Sequence, residues 1–363
     1  MTHPTGTIAP GELRDQLWRA LSDVDESCAA AVVHSALDTA NRQGLTPQEA
    51  GERVLLGVVA PAQARVGAEW AANRFTVAQE HAATAINERC VATVASATPP
   101  PPGPARGHVT VACVDGEWHA LPARLVAEVL RLRGWHVDYL GAQVPTDHLV
   151  AHLHRRNSDA VLLSSSIPTH LPVAHNAISA CQAAGIPVLA GGAGFGPDGS
   201  YARRMQADWA PDAVGADTAL TRGLTRPSAA SARLADADLP HLNDQEYTMV
   251  RQSRRQLVKQ TFADVEEGFP PMRDYTAFQR ERTVEDLDHI VNHLAAALYV
   301  DDPALFTRFI AWTADILTAR NVPAHSLLPA LASLIRQLSD FPRTRTALAQ
   351  AHEALLVVPG QRS

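Results

Sequence analysis

The stretch that decides the fold is VACVDGEWHALPARLVAEVL, residues 111–130. It begins with an apolar run typical of a buried strand, passes through a short polar loop, and continues with apolar residues at helical spacing. A strand followed by a helix is the repeating unit of a parallel sheet, and ligands bind such sheets beyond the carboxyl ends of the strands. His119 stands in that loop, so we expect it at a ligand-binding edge.

The alternation of strand and helix extends over residues 107–222. Five short runs predict strands: HVTVACV, HVDYLG, AVLLSSS, PVLAGG and WAPDAVG. The segments between them, such as LPARLVAEVLRLRG and VAHNAISACQAAG, have helical spacing. We therefore expect a flavodoxin-like parallel sheet with helices on both faces. Ser164 to Ser166 and the pair Gly191–Gly192 follow two of these strands, which predicts that they share an edge with His119.

Helical segments flank this domain on both sides. Residues 10–95 predict a bundle of four or five helices, in which Gly44 ends one helix and the sequence TPQEA begins the next. Residues 243–357 predict a second helical domain, from patterns such as EDLDHIVNHLAAALYV and DDPALFTRFIAWTADILTAR. In the latter, Asp301, Asp302 and Pro303 form an expected helix start.

Two stretches predict linkers between the three domains. Residues 95–107, ASATPPPPGPARG, are rich in proline and are expected to be stiff and extended. Residues 222–240 contain many small residues and few aromatic ones, which predicts a looser connection.

Composition excludes several classes of protein. Hydrophobic residues make up 46% of the 363 residues, enough for two or three domain cores, and no apolar run reaches the ~20 residues of a membrane span. The start of the chain lacks the pattern of a signal peptide, and four scattered cysteines indicate a reducing cytoplasm in which they are small core residues. The net charge of −7, with no basic segment before the bundle, disfavours direct DNA binding.

The predicted edge brings together three kinds of group. The imidazole of His119 can ligate a metal, with Glu117 or Asp115 orienting its second nitrogen. The serines supply hydroxyl groups, and the glycines allow a ligand to approach the backbone closely. From these residues alone, a loop histidine is more often a solvated or core side chain than a metal ligand.

In its order and spacing, this segment resembles the cobalamin-binding domain of corrinoid enzymes and B12 photoreceptors. The matching residues are Glu117-Trp118-His119, then Ser164-Ser165-Ser166, then Gly191-Gly192. The resemblance implies that His119 replaces dimethylbenzimidazole as the lower cobalt ligand, the base-off/His-on state. It also implies that the nucleotide tail enters the sheet between Ser164 and Gly191–Gly192. The chain departs from the family at two positions: Pro122 stands where glycine is usual, and Ser166 where leucine is usual.

The N-terminal bundle contains EWAANRFTVAQEHAATA, in which Trp70 is followed after nine residues by Glu80 and His81. This resembles the Trp-x9-Glu-His motif of the CarH-type photoreceptors. The resemblance implies that Trp70 stacks against the adenosyl group of adenosylcobalamin and that Glu80 and His81 hydrogen-bond its ribose or base. Ala71 stands where those sensors have a second histidine, and His81 is the available substitute as an upper ligand. Without the resemblance, the same residues are ordinary core and surface residues of a bundle.

The C-terminal helices resemble globin-related sensor domains, and the whole arrangement resembles the photocobilins, which add biliverdin as a second chromophore. His289 and His293 lie one helical turn apart and are expected to share a pocket. Further candidates for contacts to a bilin are Tyr275, Arg308, Trp312 and His325. No cysteine follows Cys181, so binding in this domain is expected to be non-covalent. A ligand-free dimerisation module and a haem bound through His289 or His293 remain alternatives.

The resulting interpretation is a cytoplasmic light sensor rather than an enzyme. Photolysis of the Co–C bond is expected to release the adenosyl group and to free Trp70 and its helix. The expected partners are the small-molecule chromophores and either a second copy of the chain or a signalling protein. The alternatives are a corrinoid methyl carrier, a subunit of an adenosylcobalamin mutase, and a scaffold that has lost cobalamin.

Overall fold

In a computed structural model, the structure describes residues 10–227 and 241–357. Residues 228–240, most of the predicted second linker, lie outside the described residues. The described residues form two compact units. The first unit holds residues 10–166, 176–203 and 207–227. The second unit holds residues 167–175, 204–206 and 241–357.

The first unit begins with the predicted helical bundle, here called the cap. Its helices are α1 (Pro10–Ser22), α2 (Glu26–Arg42), α3 (Pro47–Val54), α4 (Ala60–Ala71) and α5 (Val77–Ala97). The expected helix start at Thr46 is confirmed: its side chain accepts the Glu49 N–H, and the Glu49 carboxylate accepts the Thr46 N–H. A single π-helical turn, Leu55–Val59, joins α3 to α4. Pro61 has no N–H for the carbonyl four residues earlier, which explains the wider turn.

A five-stranded parallel sheet follows the cap, and its order is β2-β1-β3-β4-β5. This confirms the flavodoxin-like prediction. The strands are β1 (His108–Cys113), β2 (His136–Gly141), β3 (Ala160–Ser164), β4 (Val188–Gly191) and β5 (Asp208–Ala210). The helices are α6 (Ala120–Leu132), α7 (Thr146–Arg156), α8 (Leu171–Ala183), α9 (Ser200–Arg204) and α10 (Ala213–Arg222). Strands β1, β3 and β4 are buried along almost their whole length, because helices cover both faces.

The register of the sheet brings three loops together. Cys113 at the end of β1 pairs with Ser164 at the end of β3, and Ser164 pairs with Gly191 at the end of β4. The chain moves from β1 to β2 on one side and returns to β3 on the other, so the β1–β3 boundary is the topological switch point. Ligands bind at this point in open α/β sheets.

The predicted last strand, WAPDAVG, is wrong in its second half. Strand β5 ends at Ala210, and residues from Ala213 onward are helical. Pro211 cannot donate a ladder hydrogen bond, and Asp212 caps α10 by accepting the Gly215 N–H at 2.7 Å. Local capping therefore overrides the apolar pattern at this position.

The cap and the sheet domain share a hydrophobic core within the first unit. Leu121, Val129 and Leu132 of α6 belong to the same buried cluster as the cap leucines and valines. The Arg131 guanidinium donates to the backbone carbonyls of Thr98, at 3.0 Å, and Ala95, at 3.2 Å. The cap therefore packs directly on α6, through apolar contacts and hydrogen bonds.

The second unit is helical, as predicted. Its helices are α11 (His241–Asp244), α12 (Glu246–Gly268), α13 (Ala277–Val300), α14 (Pro303–Ala319), α15 (Leu328–Gln337) and α16 (Pro342–Val357). Asp302 caps α14 as expected, accepting the Ala304 N–H at 3.0 Å, whereas Asp301 ends α13 in a left-handed conformation. The resemblance to globin-related domains stays a prediction.

Among the described helices, none has both the length and the apolar character needed to cross a membrane.

The four cysteines were predicted to be buried core residues, and three of them are. Cys90, Cys113 and Cys181 are buried, and burial raises the pKa of each thiol to about 12. Cys28 is exposed, so the prediction was wrong for this residue, which lies in the first turn of α2.

Candidate functional site at the β1–β3 edge

His119 is the N-cap residue of α6, at the end of the loop that follows β1. Its Nδ1 lies 2.6 Å from Oε1 of Glu117, so the ring donates this N–H to the carboxylate. The side chain of His119 is 56% exposed, whereas that of Glu117 is fully buried. A carboxylate that holds one ring nitrogen leaves Nε2 unprotonated and able to ligate a metal.

Glu117 joins two loops through one buried carboxylate. Its Oε1 also accepts the backbone N–H of His119 at 2.9 Å, and its Oε2 accepts the N–H of Ser166 at 2.6 Å. The hydroxyl of Ser165 donates to the same Oε2 over 3.4 Å. Asp115, the other predicted orienting residue, is exposed. Glu117 therefore orients the imidazole and also holds the loop after β3.

The electrostatic environment of His119 includes a residue of the cap. The hydrogen bond to Glu117 raises the pKa of His119, burial lowers it, and the negative charges of Glu117 and Glu80 raise it. Glu80 belongs to α5, so the cap presents a carboxylate within electrostatic reach of the imidazole.

A cavity of about 220 Å³ opens beside this loop at the carboxyl ends of the strands. Three predicted residues, Ser164, Gly191 and Gly192, line it, and Ser166 does not. Pro122, at the position where the family has glycine, also forms part of the wall. The rest of the lining is dominated by aliphatic side chains of the sheet, α6, α10 and the cap, including Leu56, Ala60, Ala123, Leu125, Ala190, Ala213 and Ala216. Such a lining suits a flat, mostly apolar group with a few polar atoms.

Gly192 allows the loops after β3 and β4 to pack backbone against backbone. It has φ = +96°, and a Cβ at this position would lie 2.3 Å from the carbonyl oxygen of Ser165. The amide of Ser165 donates to the Gly191 carbonyl at 3.1 Å, and the amide of Gly194 donates to the Ser165 carbonyl at 2.9 Å. Only glycine satisfies this close approach.

Replacing Gly192 with alanine is expected to lower the free energy of unfolding by about 2 kcal/mol, since it adds backbone strain and a steric overlap. Urea denaturation followed by circular dichroism measures this change. Gly141→Ala is a matched control: its φ is also positive, at +82°, but nothing lies within 4 Å of the added Cβ. Equal destabilisation by the two variants would contradict the steric argument.

The predicted cap residues lie at the junction of α4 and α5. Trp70 is in the last turn of α4, half-buried and packed against the cap core. Glu80 is in the first turn of α5. His81 is 73% exposed, and its Nδ1 lies 2.9 Å from the Val77 carbonyl and 2.8 Å from Oε2 of Glu80. The His81 ring is therefore held by contacts to residues of its own helix, α5.

A chain of hydrogen bonds runs from the cap core to Glu80. The buried Asn87 donates to Gln63 at 2.8 Å, and Gln63 donates to the Thr84 hydroxyl at 2.8 Å. Thr84 in turn donates to Oε1 of Glu80 at 2.8 Å. The Glu80 carboxylate is therefore held in place from the interior of the cap. These hydrogen bonds were not predicted, because Gln63 lies on α4 and the other three residues on α5.

The two predicted histidines of the second unit have different surroundings. His289 lines a cavity of about 720 Å³ at α12 and α13, and His293 is not among the residues that line it. His293 is buried, stacks on Phe309 with ring centroids 3.5 Å apart, and donates from Nδ1 to the His289 carbonyl at 2.9 Å. Burial lowers the pKa of His293 to about 4. The two imidazoles therefore do not share this cavity, although they lie one turn apart.

The lining of this larger cavity was not anticipated from the sequence. Arg255 and Lys259 of α12 bring positive charge to it, and Val258, Phe262 and Val284 form apolar walls. Glu285 and Asp288 lie at its acidic side. The earlier candidates Tyr275, Arg308, Trp312 and His325 are not part of the lining. Arg255 and Lys259 are two basic residues one helical turn apart on α12, and this spacing could have indicated a shared anion-binding surface.

Comparison with protein families identifies the class of the first unit. Residues 107–220 match a family described as "B12 binding domain", and residues 13–94 match a second family with the same description. The chain therefore carries B12-binding domains, and its ligand is a cobalamin-type cofactor. No curated protein matches the chain.

Solved structures similar to the chain include three corrinoid proteins. A cobalamin-binding protein from Desulfitobacterium hafniense DCB-2 has 19% identity and a TM-score of 0.33, over 59% of this chain and 98% of its own. The monomethylamine corrinoid protein of Methanosarcina barkeri has 17% identity and a TM-score of 0.47, over 59% and 100%. The methanol:cobalamin methyltransferase complex MtaBC of the same organism has 14% identity and a TM-score of 0.32, over 60% and 82%.

The residues of the site fit a cobalamin. The His119 side chain is partly exposed, and its Nδ1 is hydrogen-bonded to the buried Glu117 carboxylate, which leaves Nε2 available to a metal. This arrangement is typical of metal-ligating histidines. The cavity beside it, floored by Gly191 and Gly192, offers an apolar slot for a nucleotide tail. Trp118, next to His119, is 74% exposed and offers a flat apolar surface beside it in the chain.

Proposed function

We propose that this protein is a light sensor that holds adenosylcobalamin between the cap and the carboxyl edge of the sheet. The observation that carries the proposal is that Leu56 and Ala60 of the cap region line the same cavity as Ser164, Gly191 and Gly192 of the sheet domain. The two matched B12-binding regions thus face one site. When bound, adenosylcobalamin supplies a Co–C bond that light can cleave.

His119 would hold the cobalt of the cofactor through Nε2. Glu117 keeps the proton on Nδ1 and fixes the ring plane, and its burial prevents water from competing for that hydrogen bond. Ser164, Gly191 and Gly192 would hold the nucleotide tail in the cavity of about 220 Å³.

In the cap, Trp70, Glu80 and His81 would hold the adenosyl group, with Trp70 against it and Glu80 and His81 hydrogen-bonded to its ribose or base. The hydrogen bonds from Thr84, and through it from Gln63, keep the Glu80 carboxylate in one orientation. Trp70 would pack against the bound cofactor. A change in that contact would let the cap helices α4 and α5 shift, which would change local packing and produce the signal.

A route for the signal leads out of the loop after β3. Glu117 holds the N–H of Ser166, and the next residue, Ile167, begins the segment that belongs to the second unit. Within that unit, Nδ1 of His175 lies 2.6 Å from the Tyr299 hydroxyl, and the Tyr299 ring packs edge-on against Tyr247. The receiver of the signal is a second copy of the chain or a signalling protein.

The cavity of the second unit suits a linear tetrapyrrole such as biliverdin. Arg255 and Lys259 can each pair with a propionate, and Phe262 and Val258 supply an apolar wall. His289 can donate a hydrogen bond to a pyrrole or lactam group. This second chromophore would extend the response to longer wavelengths.

The decisive experiment begins in the dark. The full-length protein is incubated with adenosylcobalamin and biliverdin, separated from free ligand, and illuminated while its absorption spectrum and oligomeric state are recorded. We expect a bound corrinoid whose spectrum shifts irreversibly in light, a red-absorbing bilin band, and a change in elution volume. Trp70→Ala is expected to speed photolysis or to weaken adenosyl binding.

Each other outcome assigns a different function. A corrinoid without a bilin band would leave a B12 photoreceptor whose C-terminal helices are an output module. A corrinoid that exchanges methyl groups, with the light sensitivity of free cofactor and no change in elution volume, would contradict the sensor and indicate a methyl carrier.

A further inference from the structure

A group of histidines and one aspartate lies at the edge of the sheet opposite to His119. His108 and His136 are the first residues of β1 and β2, and they pair directly across the two strands. Asp138 is two residues beyond His136, so it projects from the same face of the sheet. His152 and Arg156 of α7 lie against Asp138. None of these residues takes part in the proposed sensor function.

The potential ligand atoms converge. One atom each from His108, His136 and Asp138 lies within 4.8 Å of the others. The Nε2 atoms of His108 and His152 are each 3.0 Å from Oδ2 of Asp138. Two ligands at about 2.1 Å from a metal and about 90 to 109° apart are about 3.0 to 3.4 Å from each other. The observed spacing therefore matches that of neighbouring ligands on one ion.

The surroundings of His108 provide a second, independent indication. Its Nδ1 lies 3.1 Å from the Arg156 carbonyl, and its Nε2 lies 3.0 Å from the Asp138 carboxylate. Both partners only accept hydrogen bonds, whereas a neutral imidazole has one N–H. Either a second proton on the ring or a cation between Nε2 and the carboxylate satisfies both contacts. The bond from Nδ1 to a backbone carbonyl is also typical of metal-ligating histidines.

We propose that His108, His136 and Asp138 bind a divalent transition-metal ion. His152 holds the Asp138 carboxylate through its Nε2. Imidazole nitrogens with one carboxylate oxygen are a donor set suited to Zn²⁺ and similar ions. Arg156 contacts both carboxylate oxygens, with Nε 2.8 Å from Oδ2 and Nη2 3.2 Å from Oδ1. When the ion binds, Arg156 retains Oδ1 and orients the carboxylate. The ion joins β1 to the edge strand β2, and Asp138 connects the site to α7 through His152 and Arg156.

The test is a titration of the chelator-treated full-length protein with Zn²⁺ against a chromophoric competitor, with and without bound cobalamin. We expect one Zn²⁺ ion to bind tightly to each protein molecule, with or without cobalamin, because the site is separate from His119. His136→Gln and Asp138→Asn are each expected to weaken this binding by about tenfold or more. His136 is exposed, so its replacement leaves the core intact. Circular dichroism verifies the fold of each variant.

His148→Gln is the matched control, since His148 is an exposed histidine of α7 outside the group. Tight binding retained by this control and lost in the two ligand variants supports the site. If the wild-type protein binds no tight equivalent, or if His148→Gln weakens binding equally, the group is a hydrogen-bonded contact between β2 and α7. Failure to bind cobalamin would not alter this result, so the two proposals can fail separately.

Discussion

Replacing His119 with alanine is expected to reduce the affinity for adenosylcobalamin by about 100-fold or more. The imidazole is the part of the site that can bind cobalt directly, and Glu117 holds it in the ligating tautomer through a 2.6 Å hydrogen bond. Binding is measured in the dark by equilibrium ultrafiltration. The ligand itself is identified by electron paramagnetic resonance of the cobalt(II) cofactor bound to protein labelled with ¹⁵N-histidine. A histidine ligand splits each line into a doublet, whereas the cofactor's own ¹⁴N base gives a triplet.

Two further variants make this test specific. Glu117→Gln keeps an acceptor for the His119 N–H but removes the negative charge, and it is expected to lower affinity by about tenfold. His148→Ala removes an exposed histidine of α7 and is expected to leave affinity unchanged. A ¹⁴N triplet in the labelled wild-type protein, or unaltered affinity in His119→Ala, would exclude His119 as the cobalt ligand.

Local sequence patterns predicted most of the fold because the physical causes are local. Thr46 with Glu49 forms a reciprocal cap within four residues, and the buried strands are short apolar runs bounded by turns. The prediction failed at WAPDAVG, where Pro211 and Asp212 decide the structure and the apolar residues do not. Helix α13 begins at Ala277, before the quoted pattern EDLDHIVNHLAAALYV. Its start is set by the reciprocal cap of Thr276 with Gln279, which the local sequence could also have predicted.

The site was predictable only in part, because its remaining contacts join distant segments. The neighbours Glu117 and His119 are two residues apart, so their pairing could be anticipated. The bond from Glu117 to the Ser166 amide spans 49 residues, and Leu56 of the cap lines a cavity formed mainly by the sheet. No periodicity encodes such contacts, since they depend on the completed tertiary packing.

Filling the smaller cavity is expected to prevent tail binding while leaving the cobalt ligand intact. Ala123 of α6 lines this cavity, and Ala123→Leu adds three carbon atoms to a space of about 220 Å³. Overpacking at this level costs about 1–3 kcal/mol, which corresponds to about 5- to 150-fold in affinity for adenosylcobalamin. The same dark ultrafiltration assay measures it, and the free protein is expected to remain folded because the added atoms occupy empty volume.

Cobinamide, a corrinoid without the nucleotide tail, provides the matched ligand control. Its binding requires His119 and the cap but no tail cavity, so Ala123→Leu is expected to bind it as tightly as the wild-type protein does. An equal loss for both corrinoids would show that the substitution damages the site as a whole. Unchanged affinity for adenosylcobalamin would place the tail elsewhere, and Ser164, Gly191 and Gly192 would then have only a structural role. A selective loss for the tailed cofactor, together with the ¹⁵N doublet from His119, would establish the lower half of the site by two independent measurements.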